Sequence, residues 1–178
     1  MLPFYAIVPG RYEHIARLND IELSAARLLE GYAPESVLSE ATTLADFRAA
    51  VDAGLLWVGV TDAQPVGFAQ VRLLEAGRAH LDELDVHPDH GRRGVGRRLV
   101  RAVCDWAAAS QLDGVTLSTF RGPPWNAPFY ASMGFRALTD DELTPALRRL
   151  VAQETRRGLD PTQRVVMARA AQRSQAWR

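Results

Sequence analysis

The stretch Leu81–Val100, LDELDVHPDHGRRGVGRRLV, leaves the chain few options. Leu84 and Val86 lie two apart, as inward positions of a strand do. Pro88 has no N–H to give a central strand and marks its exit. Gly91, Gly94 and Gly96 follow, and Val95, Leu99, Val103 and Trp106 then recur at helical spacing as one apolar stripe. A strand that feeds a helix through such a turn gathers unpaired N–H groups and a partial positive charge at one point. Glycines there permit positive φ and close approach to the backbone. The expectation is a phosphorylated cofactor held at this turn, with Arg92, Arg93, Arg97 and Arg98 adding forked cationic donors.

The spacing does not match G-x-x-x-x-G-K-[ST], the signature of a P-loop nucleotidase. Nor does it match the G-x-G-x-x-G fingerprint of a dinucleotide fold. It resembles the pyrophosphate loop of the GNAT superfamily of N-acetyltransferases, V-x-P-x-x-[QR]-x-x-G-x-[GA], through Val86, Pro88, Gly94 and Gly96. The Gln or Arg position of that pattern holds Gly91, with Arg92 beside it. Downstream, Asn126-Ala-Pro-Phe-Tyr130-Ala-Ser-Met-Gly134-Phe135 is similar to the family's N-x-x-x-Y-x-x-x-G-F segment. The resemblance covers residues 55 to 138 best.

The totals set outer limits. A chain of 178 residues, 47% hydrophobic and 24% charged, has the length and composition of one soluble domain with an ample core. Twenty-one basic residues balance 21 acidic ones, so total charge points to neither nucleic acid nor membrane as a partner. Every basic residue is Arg; Lys is absent. The single Cys104 rules out an intrachain disulfide and makes a reducing, cytoplasmic setting the default. No apolar run reaches the roughly 20 residues of a membrane helix, and no signal peptide is read.

Read in order, Phe4–Val8 is a short strand and Tyr12 to Leu29 is helical in two pieces, with Asn19 or Asp20 as the break. Residues 31–43 form a loop, and Thr42 or Thr43 caps a helix that stops at Gly54. Leu55–Thr61, Val66–Leu73 and Ala79–Val86 form an antiparallel meander. After the glycine turn and its helix come a strand at Gly114–Phe120, a short helix at Ala127–Met133 and a strand at Phe135–Leu138. A helix starting at Thr139 in acidic Asp140, Asp141 and Glu142 runs to Gly158. A last strand spans Gln163–Ala168, and the polar tail frays after about residue 171. The expected fold class is α/β or α+β: one domain over residues 1–178, with a mixed, mostly antiparallel sheet of six or seven strands and helices on both faces. The resemblance adds that strands four and five run parallel and splay apart.

Acetyl transfer to an amine is the activity the resemblance implies, with acetyl-CoA as co-substrate and a small-molecule, peptide N-terminal or lysine amine as acceptor. It assigns cofactor contacts to Arg92, Arg93, Gly94, Val95, Gly96 and Arg97 and to the strand end Leu84, Asp85 and Val86. A strand-four N–H near Leu84 or Asp85 polarises the thioester carbonyl. Tyr130 matches the proton donor to the departing thiolate, against a reading as a core aromatic beside Phe129. Asn126 either contacts the pantetheine amides or caps its helix. The base that strips a proton from the amine comes from strand four, where His80, Asp82, Glu83 and Asp85 are the candidates and His80 and Asp82 share one face. The alternative for each is an exposed strand charge. His87 and His90 around Asp89 are too few for a metal site, and none is expected. Cys104 reads as a buried thiol rather than a nucleophile. A non-catalytic CoA-binding sensor or scaffold shares the same turn. A homodimer is compatible with the family.

Overall fold

The computed structural model describes residues 4–74 and 77–171. Among the described residues, seven strands and six α-helices follow one another: β1 Ala6–Pro9, α1 Tyr12–Ala26, α2 Glu35–Leu38, α3 Leu44–Asp52, β2 Leu56–Thr61, β3 Gln64–Leu74, β4 Arg78–Val86, α4 Val95–Ala109, β5 Gly114–Phe120, α5 Ala127–Ala131, β6 Arg136–Ala137, α6 Pro145–Arg156 and β7 Arg164–Ala170. The strand order is β1-β2-β3-β4-β5-β7-β6, a mixed sheet. The chain divides into two compact units, with boundaries near the end of β3, within β4 and within α4. The first holds the residues up to Arg72 with Asp82–Val103, the second Leu73–Leu81 with the residues from Cys104 onward.

In the first unit β1, β2 and β3 form an antiparallel meander. Asp62 and Ala63 both take positive φ, 46° and 62°, the geometry of a two-residue type I′ turn that matches the twist of its strands. One sheet face, through Leu56, Val58 and Phe68, packs on Ile15, Leu18 and Ile21 of α1 and Phe47 of α3. The rings of Phe47 and Phe68 meet edge to face at 5.4 Å. Thr43 is the N-cap of α3 and accepts a bond from the Asp46 N–H. The expected break at Asn19 or Asp20 is absent, and α1 runs unbroken to Ala26. Neither residue is a helix breaker of the Gly or Pro kind, and Asn19 turns outward from the helix to donate to the Thr42 carbonyl at 2.7 Å. The expected loop before α3 contains the single turn of α2.

In the second unit the first half of β4 pairs in parallel with β5, from Arg78 opposite Gly114 to Leu81 opposite Leu117. That ladder ends there, whereas β4 itself runs on to Val86. β5 pairs antiparallel with β7 over its whole length, and β6 pairs with the far side of β7. Val115, Leu117, Phe120, Phe135, Leu147, Val165 and Met167 are buried in this unit. The single helix expected from Thr139 is instead two elements. Thr139 and Glu142 close a capping box around a 3-10 turn, and α6 then starts afresh with Thr144 as N-cap and Pro145 in its first turn. Proline lacks the N–H that a continuous helix needs there, but is suited to a first turn. The expected frayed tail lies outside the described residues.

Candidate active site

The turn expected to hold the phosphates belongs to the first unit. The Val66 carbonyl accepts a bond from the His87 N–H at 2.9 Å, which ties the end of β4 to β3. A 3-10 turn over Pro88–His90 follows, capped by His87. Arg92 and Gly94 both lie in the left-handed region, with φ of 57° and 81°. The first bond of α4 runs from the Arg98 N–H to the Gly94 carbonyl at 3.0 Å. The N–H groups of Val95, Gly96 and Arg97 come before it, where a helix has no internal acceptor to offer. A Cβ at Gly94 would meet nothing within 4 Å. The backbone there opens on space, and a side chain is barred by φ rather than by crowding. A non-glycine residue at positive φ, such as Arg92, stores strain of the kind that gathers at ligand clamps.

Sequence reasoning did not find Tyr5. Only 5% exposed, it reaches the turn from just before β1. Its hydroxyl lies 3.0 Å from Nδ1 of His90, with the rings edge to face at 5.8 Å. Arg93 donates to the same hydroxyl at 3.3 Å, and Arg98 donates to the Tyr5 carbonyl. Burial, with the positive charge of Arg93 beside it, holds the His90 imidazole below its usual pKa. A neutral His90 can accept the Tyr5 proton at Nδ1 and leave the Tyr5 oxygen to accept from Arg93. Two of the turn's guanidiniums are thus oriented by one residue that precedes it by more than eighty positions, a separation no local pattern reveals.

The strand-four candidates separate. His80, in the second unit, is 4% exposed, and its Nδ1 sits 2.9 Å from Oγ1 of Thr116, which itself donates to the Ala79 carbonyl. That imidazole serves the β4–β5 pairing. Asp82, in the first unit, accepts from Arg72 at 2.6 Å. Glu83 is half-buried and adds negative charge at Asp85. Burial, then Glu83, then Glu22 push the Asp85 carboxyl well above the ordinary range. Glu22 is a second residue that the sequence reading passed over. It occupies the apolar stripe of α1, four residues after Leu18 and three before Ala25, and is buried. An acid at a stripe position was the available signal. Both of its oxygens accept from the Thr42 N–H at 3.0 Å, and one also accepts from the Thr42 hydroxyl at 2.9 Å.

The remaining candidates lie in the second unit. Tyr130 is buried between Phe129 and Phe135, with ring centroids 5.1 Å and 5.8 Å away. Asn126 makes no side-chain cap to α5; its Nδ2 donates to Oγ1 of Thr119 on β5 at 2.9 Å. Trp125 beside it is 45% exposed. Burial raises the pKa of the Cys104 thiol, which disfavours the reactive thiolate. Among the described residues no cluster of three or more His, Cys, Asp or Glu is placed to hold a metal. No described helix is long and apolar enough to cross a membrane.

A mixed sheet with parallel β4 and β5, and a strained Gly-Arg turn opening a long helix at the end of β4, define the architecture of a coenzyme A-dependent acyltransferase. The chain belongs to the acetyltransferase (GNAT) family, whose model matches residues 21–135. Solved structures share the fold. One is the PaiA N-acetyltransferase of Thermoplasma acidophilum in complex with coenzyme A, at 14% identity and TM-score 0.72, covering 94% of this chain and 99% of that one. Another is the ribosomal-protein-S18-alanine N-acetyltransferase of Escherichia coli, at 16% identity and TM-score 0.66, covering 98% and 100%. A third is the N-acetylglutamate synthase of Neisseria gonorrhoeae with coenzyme A and N-acetyl-glutamate, at 18% identity and TM-score 0.69, where 96% of this chain covers 36% of that one. The co-substrate of this family is acetyl-CoA. The turn at Gly94 combines open space, left-handed backbone and a guanidinium held by Tyr5.

Proposed function

We propose that the protein transfers an acetyl group from acetyl-CoA to a primary amine by direct attack while both are bound. The observation that carries this reading is the turn from Arg92 to Val95, whose backbone opens at Gly94 onto the start of α4. Acetyl-CoA supplies the activated acyl group. The N–H groups of Val95, Gly96 and Arg97, with the side chains of Arg92 and Arg93, hold the pyrophosphate. The backbone of Leu84, Asp85 and Val86 borders the pantetheine arm, and an N–H of this segment stabilises the charge that grows on the carbonyl oxygen.

The amine must lose a proton before it can attack, since an alkylammonium titrates near ~10. Glu83 is the group we assign to accept that proton. Glu83 is half-buried on the strand that also carries the proposed polarising N–H, and its charge reaches Asp85. The amine nitrogen then forms the new C–N bond, the C–S bond breaks, and Tyr130 gives its phenolic proton to the departing sulfur. Asn126, pinned to Thr119, offers its side-chain carbonyl to an amide of the arm.

An amine-acceptor screen with acetyl-CoA, read as free thiol release, tests this function. Tyr130→Phe should lower kcat at least tenfold with CoA affinity retained. Unchanged turnover would remove Tyr130 from the mechanism. CoA binding without turnover across the screen would leave a sensor instead of an enzyme.

A further inference from the structure

Within the first unit, two side chains of the glycine turn converge on one hydroxyl. Nδ1 of His90 stands 3.0 Å from the Tyr5 oxygen, and Arg93 donates to that oxygen at 3.3 Å. Burial holds the Tyr5 ring still, and so does its edge-to-face contact with the His90 ring at 5.8 Å. Arg98 anchors the Tyr5 carbonyl. The contact therefore has a definite proton count. A phenol has one proton to give. When His90 is neutral and carries its proton at Nε2, Nδ1 takes the phenolic proton and the oxygen lone pairs are left to Arg93. When His90 is protonated at both nitrogens, Nδ1 becomes a donor. Two cationic donors then compete for one oxygen, and the phenolic proton loses Nδ1 as its acceptor.

We propose that His90 is a positioning residue for the cofactor: its neutral imidazole, acting through Tyr5, aims Arg93 at the diphosphate, and a proton on His90 loosens that aim. This rests on the coenzyme A reading above and deepens it. The charged and titratable groups around His90 are Tyr5 before β1, Arg17 of α1, His87 and Asp89 of the 3-10 turn, and Arg93. Burial is the first cause that keeps the imidazole neutral; Arg93, His87 and Arg17 repel a further proton, and Asp89 favours one. A ligand that prefers the neutral form binds fully above the pKa of the imidazole. It loses affinity as pH falls through that value, and its binding releases a proton. Direct attraction between a protonated His90 and the diphosphate would act with the opposite sign, so the sign decides.

The test is calorimetric titration of the full chain with CoA between about pH 7.5 and about pH 5, a range that spans the ordinary imidazole value of ~6.5 and a lowered one. Two buffers of different ionisation enthalpy count the protons released. His90→Asn offers an acceptor oxygen in place of Nδ1 and takes no proton. The ratio of wild-type to His90→Asn dissociation constants cancels the titration of the CoA phosphates. His90→Asn should bind CoA about twofold more weakly at pH 7.5, and the ratio should then rise about fivefold toward pH 5, as the loss of one hydrogen bond gives. The wild type should release a proton on binding within this range, beyond any exchanged by His90→Asn. Tyr5→Phe breaks the relay at its middle and should remove the dependence as well. Circular dichroism at each pH reports folding. A ratio that is flat, a ratio that falls with pH, or a folded Tyr5→Phe that keeps the full dependence overturns the proposal. Thiol release separates this from the transferase reading. Turnover with a flat ratio sinks the role of His90 and leaves the transferase. A rising ratio with no turnover of any amine leaves the role of His90 and sinks the transferase. No CoA binding at any pH sinks both.

Discussion

The Tyr5 hydroxyl stands 3.0 Å from Nδ1 of His90, and Arg93 donates to that same hydroxyl. The start of the chain thereby orients the loop expected to hold the pyrophosphate. Tyr5→Phe keeps the buried ring and deletes only the hydroxyl. With one such bond worth about 1 kcal/mol, CoA affinity should fall roughly fivefold by calorimetry. The melting temperature should change little, since the ring still packs and Arg98 still bonds the Tyr5 carbonyl. An affinity equal to that of the wild type would show that the strap does not steer the turn.

Asp85 makes a prediction about pH. Unfolded, its carboxyl titrates near 3.9; folded, burial and the charges of Glu83 and Glu22 raise it well above that. Between the two values the native state holds the extra proton, so this group makes stability fall as pH rises through the window and leaves the fold less stable above it. Asp85→Asn removes the dependence. The variant should melt roughly 2–4 °C higher than the wild type at neutral pH, as a change of about 1 kcal/mol gives for a chain of this size. The two curves should converge near pH 4. Equal melting temperatures across the whole range would mean that the carboxylate is compensated at neutral pH.

Gly67 is required by contact. A Cβ there would stand 2.7 Å from the Asp85 carbonyl and 3.1–3.2 Å from two atoms of Val86. The nearest neighbour is backbone, which does not swing aside. Gly67→Ala should cost about 1–3 kcal/mol in urea titrations, as overpacking does, and should push the end of β4 out of place. Thiol release should then fall by more than the loss of folded protein explains. A stable, fully active alanine variant would show that this strand end tolerates displacement.

Arg164 and Glu154 form an interior ion pair in the second unit, 2.8 Å apart and mostly shielded from water. Ser118 donates to the same carboxylate at 2.8 Å and accepts from Arg164 at 3.2 Å, and the guanidinium lies over Phe120 at 4.6 Å. Arg164→Ala leaves Glu154 buried without its partner and should destabilise by about 3 kcal/mol, measured by denaturant titration. Arg164→Lys should rescue little, because an ammonium cannot fork across two carboxylate oxygens or stack on the ring in the same way.

What could be read beforehand was local. β5 has the same bounds as the strand expected at Gly114–Phe120, because alternating Val115, Leu117 and Thr119 lie between clear stops. Thr43 caps α3 by the side-chain bond that its residue type favours. The glycine turn before α4 was legible because glycine spacing and helical periodicity both act over a few residues. α1 was misjudged because tertiary packing along Ile15, Leu18 and Ile21 carries the helix through Asn19, whose propensity is only mildly unfavourable. The new start at Thr144 was hidden by the acidic turn before it, which is equally good first-turn chemistry for a 3-10 segment. The features of the site that escaped notice were long-range. Tyr5 meets a residue 85 positions away, and Glu22 meets Thr42 and acts on Asp85 from another element. His80 and Asp82 looked alike on paper, and only their partners, Thr116 and Arg72, tell them apart.

The turn that opens α4 draws its cations from Arg92, Arg93, Arg97 and Arg98 in a chain without lysine. A guanidinium stays protonated at any physiological pH, so the positive charge that the proposed diphosphate grip offers holds constant across that range.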